Sequence, residues 1–164
     1  MKLEAMMREA VLLDTSFFLR FLNTRDPLFS NADGYYRYFL ERGLDLFIST
    51  ISIAEYCVKG NINELPLRHL KVIPFNINHA VKAGEFANLV FQNRGELKLS
   101  QRSIIPNDSK LFAQADVEKI IQFYLSSDHE SLKIFNFLKL SASPRFQFID
   151  LKIPHNETFG ILDL

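Results

Sequence analysis

The fold turns on the stretch "VLLDTSFFLRFLN", Val11 to Asn23. Val11, Leu12 and Leu13 form a continuous apolar run, the mark of a strand covered on both faces. Phe17, Phe18, Leu19, Phe21 and Leu22 then read as a helix pressed onto a core. Asp14 stands where one run hands over to the other. An acid in that place is either a helix cap or part of a site at the end of a strand.

The same hand-over recurs along the chain. Apolar runs at Ala10–Leu13, Leu46–Ser49, Lys71–Phe75, Ile120–Leu125 and Phe146–Leu151 predict five strands. Helical spacing predicts helices over Ser16–Leu22, Ala32–Arg42, Ile53–Lys59, Asn78–Asn93, Asn107–Glu118 and His129–Leu140. Gly60–Arg68 and Arg94–Ile105 are polar and aperiodic, and read as loops. Alternating strands and helices imply an α/β domain with a mainly parallel sheet and, through right-handed crossovers, helices on both faces. The expectation is one domain over residues 1–164, with a core of about 10–151 and a C-terminal tail of 152–164. That tail reads as a further strand, a docking arm or a frayed end.

Composition narrows the function classes. The 164 residues are 48% hydrophobic, and 19 basic residues balance 19 acidic ones, so no global charge advertises a polyanion partner. The lone cysteine, Cys57, rules out a disulfide framework within the chain and reads as a buried, inert thiol. "MKLEAMMREA" carries Glu4 and Glu9 and lacks the apolar run of a signal peptide. No stretch approaches a membrane span. The expectation is a soluble, cytoplasmic protein with no membrane partner. Neither GxGxxG nor a P-loop occurs. Ser16 stands where a DxD phosphoacceptor enzyme would carry its second aspartate.

In an open α/β sheet, ligands bind beyond the carboxyl ends of the strands. Asp14 follows the first predicted strand and Glu55, in "STISIAEY", follows the second. Asp108, in "IPNDSKLFAQA", opens the helix before the fourth strand, and Asp128, in "YLSSDHE", follows it. Each alone reads as a cap or first-turn acid: Asp14 before Thr15, Ser52 with Glu55, Ser127 with Glu130, and Asn107 before Asp108. Together, acids at one edge repel unless a positive charge sits among them. A hard divalent cation, Mg²⁺ or Mn²⁺, is the economical partner for oxygen ligands. His69, His79, His129 and His155 are scattered and form no competing motif.

The ordered set "VLLDTSFFLRFL", "FISTISIAEY", "IPNDSKLFAQA" and "FYLSSDHESLKIF", with "LKVIPFNINHAVKAGEFANLV" between the second and third, resembles a PIN domain of the VapC type. The resemblance runs from Val11 to Leu151. It implies a three-layer α/β/α fold with a five-stranded sheet in the order 3-2-1-4-5. It implies a metal-dependent endoribonuclease, the toxin of a toxin–antitoxin pair, in which Asp14, Glu55, Asp108 and Asp128 are catalytic and metal-binding. It implies Mg²⁺ or Mn²⁺, an RNA substrate, an antitoxin partner and a homodimer. Thr15 and Ser127 are candidates to orient the acids, and Lys98, Arg102 and Lys110 to form a basic rim for substrate. The four carboxylates are then expected to converge within a few ångströms. A catalytically silent PIN-like RNA- or protein-binding module is the alternative. Tyr35, Tyr36 and Tyr38 are expected in core or dimer packing rather than against bases.

Overall fold

In the computed structural model, residues 8–93 and 106–161 are described. Five strands form one sheet: β1 Ala10–Leu13, β2 Asp45–Ser49, β3 Lys71–Ile73, β4 Ile121–Ser126 and β5 Gln147–Asp150. All four pairings are parallel, in the order β3-β2-β1-β4-β5. The helices among the described residues are α1 Thr15–Phe21, α2 Phe29–Glu41, α3 Thr50–Tyr56, α4 Ile77–Gln92, α5 Asn107–Val117, α6 His129–Ser141 and α7 His155–Thr158. The sequence-based strands and helices all stand, with ends moved by up to three residues. The Gly60–Arg68 loop holds a short 3₁₀ turn at Ile62–Glu64, and a second turn follows at Leu67–His69. The Arg94–Ile105 loop, with Lys98 and Arg102, lies outside the described residues.

Strand alternation sorts the core into two clusters. Val11, Leu13, Ile48, Leu125 and Ile149 meet Phe17 and Phe18 of α1, Tyr35 and Phe39 of α2, and Tyr56 of α3. Ala10, Leu12, Ile73, Ile121 and Tyr124 meet Phe86 of α4, Phe112 of α5, and Ile134, Phe135 and Leu138 of α6. This second face is an aromatic mosaic. Phe112 lies edge-on to Tyr124 with ring centroids 4.9 Å apart, and Phe135 approaches Phe146 at 5.3 Å. Such pairs add about 0.5–1.5 kcal/mol each beyond the area they bury.

The β1–β4 register carries a one-residue bulge. Ala10 pairs with Ile121, but Val11 pairs with Phe123 and Leu12 with Tyr124. A shift of one residue turns every later side chain to the opposite face. The extra residue, Gln122, therefore sends Phe123 towards α2 and turns Tyr124 and Ser126 towards α5. Asp14 lies two residues beyond Leu12, on that same face, and ends level with Ser126.

The tail is a docking arm. Pro154 leads into α7, and Tyr35 Oη donates to the Ile153 carbonyl at 2.6 Å and bonds the Thr158 hydroxyl. Asn31 Nδ2 donates to the Leu151 carbonyl at 2.9 Å. Phe159 stacks on Tyr38 with centroids 4.5 Å apart. A Cβ at Gly34 would meet His155 Nδ1 at 2.8 Å, so any larger residue there would push the His155 ring aside. Tyr35 is a core residue, Tyr36 lies against Phe21, and Tyr38 supports the arm.

Cys57 departs from expectation: it is exposed, not buried. It caps the C-terminus of α3, where Tyr56 takes the inward position and the next residue turns outward. We expect Tyr35→Phe to cost about 1–2 kcal/mol, since it removes the hydroxyl that ties buried Tyr35 to the Ile153 carbonyl and to Thr158. Amide exchange measured along the chain should rise in α7 while β1 and β4 stay protected; unchanged protection of α7 would refute the docking role of this hydroxyl.

Candidate active site

The carboxyl ends of β1 and β4 lie side by side at the centre of the sheet, and the backbone N–H of Asp14 donates to the Leu125 carbonyl at 3.0 Å. Asp14 is buried and caps α1, its Oδ2 accepting from the backbone of Ser16 at 3.4 Å. The same oxygen accepts from Ser16 Oγ at 2.7 Å and from Ser126 Oγ at 2.8 Å. Ser126 Oγ in turn accepts from the backbone N–H of Asp128 at 3.0 Å, and Ser16 Oγ from that of Ser127 at 2.9 Å. Two serine hydroxyls thus stitch the two strand ends together across the carboxylate.

The other acids arrive from the helices. Asp108 lies in the first turn of α5 and accepts from Ser131 Oγ of α6. Asp128 caps α6, its Oδ1 accepting from the backbone N–H groups of Glu130 at 2.7 Å and Ser131 at 3.2 Å. Glu55 projects from α3, with Oε1 buried and without a hydrogen-bond partner, as is Thr15 Oγ1. Exposure grades outward from buried Asp14, through partly buried Glu55 and Asp108, to exposed Asp128.

Several of the local caps differ from those the sequence suggests. Ser49, not Ser52, caps α3 and accepts from the Ile51 N–H at 3.0 Å. Asp128, not Ser127, caps α6, and Pro106 precedes α5 with no side-chain cap. Each helix starts earlier or later than its capping-box spacing implies, because packing against the strand end sets the first turn. Ser127 is buried and meets the site through its backbone. Lys110 donates to Asn107 Oδ1 at 3.2 Å and its charge reaches Glu55.

The acids sense one another. Burial pushes the Asp108 carboxyl up to about 7, and the charges on Asp14, Asp128 and Glu55 push the same way against the Ser131 hydrogen bond. Burial and then the Asp14 charge also raise Glu55, while Thr15, Asn107 and Lys110 pull it down. The carboxylates do not, however, converge as tightly as the sequence suggests. Among the described residues no group of three His, Cys, Asp or Glu side chains is placed to hold one ion. Asp128 spends an oxygen on its helix, and Asp108 is tied to Ser131. The donor set still suits a hard cation, since Mg²⁺ takes one or two carboxylates and completes its shell with water. Glu55 Oε1 is buried without a hydrogen-bond partner and feels the Asp14 charge, an oxygen suited to a hard cation.

Ser16, Ser126 and Ser131 hold the acids in place but are not among the candidates the sequence singles out. Ser126 has a readable signal, since it stands two residues before Asp128 at the end of an apolar strand. The partners of Ser16 and Ser131 depend on elements 110 and 23 residues away and have no local signature.

A carboxyl held at about 7 in the fold but at an ordinary 3.8 when unfolded keeps its proton better in the fold. Its contribution to stability is therefore full below about pH 4 and is lost as pH rises through 7. Without divalent ions, Asp108→Asn should stabilise the protein at pH 8 by a few kcal/mol, and the gain should vanish near pH 4. Denaturant unfolding at the two pH values measures it; an equal effect at both would show that Asp108 is not perturbed.

No family model matches the sequence, and no curated relative does. Solved structures share its architecture. FitAcB from Neisseria gonorrhoeae superposes with a TM-score of 0.58 at 13% identity, covering 87% of this chain and 98% of that one. VapBC-1 from nontypeable Haemophilus influenzae gives 0.56 at 18% identity, covering 88% and 99%. VapC20 from Mycobacterium tuberculosis, a toxin that cleaves the Sarcin-Ricin loop, gives 0.52 at 18% identity, covering 75% and 93%. The α/β architecture, the all-parallel sheet order and these superpositions agree: the chain has the PIN fold of the VapC-type toxins.

Proposed function

We propose that the protein is a metal-dependent endoribonuclease of the VapC kind. The observation that carries this reading is the electrostatic crowding of Asp14, Glu55, Asp108 and Asp128 at the carboxyl edge of β1 and β4. Such crowding of like charges is unfavourable by itself, and a divalent cation among them would relieve it. Asp14, Glu55 and Asp108 would hold Mg²⁺ or Mn²⁺, directly or through water, with Asp128 at the rim. When bound, the ion supplies an acidified water and charge neutralisation on a phosphodiester.

The chain's own residues then have distinct tasks. Ser16 and Ser126 fix Asp14 by occupying one carboxylate oxygen and leaving the other free to turn outward. Ser131 orients Asp108 in the same manner. Thr15 and Asn107 sit beside Glu55 and favour its charged form, as does Lys110. Lys110 and Arg102 would meet the RNA backbone, where positive charge is needed against phosphate. The products would carry 5′-phosphate and 3′-hydroxyl ends. On the same reading the protein works in the cytoplasm as a homodimer and is held in check by an antitoxin, as the VapBC complexes pair a toxin with its partner.

A second reading has its own observation. No three acids in the described set stand ready around one ion, which suits a silent PIN-like module that binds RNA or protein without cutting. Incubation of purified protein with structured RNAs and Mn²⁺ separates the two. The nuclease should leave 5′-phosphorylated ends, and Asp14→Asn should lose at least about 100-fold in rate, beyond the usual effect of changing a ligand's neighbour. RNA left intact by wild type at saturating Mn²⁺ would decide for the silent module.

A further inference from the structure

Tyr124 stands at the centre of β4 with no exposed surface, and its hydroxyl has no hydrogen-bond partner at bonding geometry. Its ring packs among Phe112, Phe146 and Phe148, where phenylalanine would fill the same space without a polar atom. The Gln122 bulge turns this side chain to the face that carries Asp14 and Ser126, with Tyr124 paired to Leu12 directly below Asp14. A phenol with no solvent exposure keeps its proton beside carboxylates, so the hydroxyl is a donor beneath the acids. A buried donor among carboxylates has few other uses.

We infer that Tyr124 is a positioning residue, whose hydroxyl donates to the Asp14 carboxylate from below as that side chain turns to a divalent ion, an assignment that rests on the metal-dependent reading. Ser16 and Ser126 approach Asp14 Oδ2 from its own helix and from the end of β4. Tyr124 approaches from within the core. With Tyr124, donors from three residues hold this one carboxylate and limit how it can turn towards an ion. The outer partners of metal ligands typically set affinity in this way.

The test is Mn²⁺ titration calorimetry on the full chain and on Tyr124→Phe, with thermal unfolding of both in chelator. We expect the variant to melt no lower than wild type without metal and to bind Mn²⁺ about tenfold more weakly. Equal Mn²⁺ affinity would overturn the assignment while leaving the metal-dependent reading intact; failure of wild type itself to bind Mn²⁺ would overturn both. A merely structural role would shift the melting temperature and not the affinity. If the variant does not fold, tyrosine labelled with ¹³C at Cζ serves in wild type. Of the five tyrosine signals, that of Tyr124 should move on adding Mg²⁺, assigned by changing the other four singly to phenylalanine. A Tyr124 signal unmoved at saturating Mg²⁺ would overturn the inference.

Discussion

The pairing of β1 with β4 is the constraint on which the rest of the molecule depends. It sets the end of one strand against the end of the other, so the Asp14 carboxylate and the Ser126 hydroxyl meet at 2.8 Å. Neither residue could hold this position alone. A buried aspartate needs donors, and Ser16 and Ser126 supply them from both sides of the seam. Once Asp14 is pinned, every other acid is placed relative to it, and the electrostatics of the edge follow.

Those electrostatics connect stability to function. Carboxylates gathered at one edge oppose folding at neutral pH, and Asp108 shows it by holding its proton to about 7. The two packed faces of the sheet offset that cost. Aromatic packing of Phe112, Phe135 and Phe146 lies directly beneath the helices that carry Asp108 and Asp128. On the opposite face, the C-terminal arm closes over α2 through Tyr35 and Phe159. The arm is remote from the acids and supports the layer against which α1 packs.

The architecture was legible because its signals are local. Continuous apolar runs at Ala10–Leu13 and Leu46–Ser49 admit no reading but covered strands, and the helices between them carry their own periodicity. The four acids were legible as strand-end and helix-start residues. Their surroundings were not. Capping boxes at Ser52 and Ser127 looked right by spacing and gave way to Ser49 and Asp128, because tertiary packing chose the first turn. Cys57 follows an apolar-periodic stretch, yet it comes directly after inward-facing Tyr56 and so turns outward. The tail's aromatic residue, Phe159, has no periodic neighbours and is placed by tertiary contacts with Tyr35, Tyr38, Phe39 and Phe123.

By itself, the sequence determined the number and type of the main elements, the parallel character of the sheet and the identity of the acids at its edge, since each depends on residues close together in the chain. The tertiary structure alone decided what those acids touch. A bulge at Gln122 chose the face that Tyr124 and Ser126 present, and so which hydroxyls lie beneath Asp14. It also decided that the carboxylates feel one another without closing into a three-residue cage. Such facts rest on contacts across more than a hundred residues, such as Ser16 with Ser126, and no local pattern encodes them.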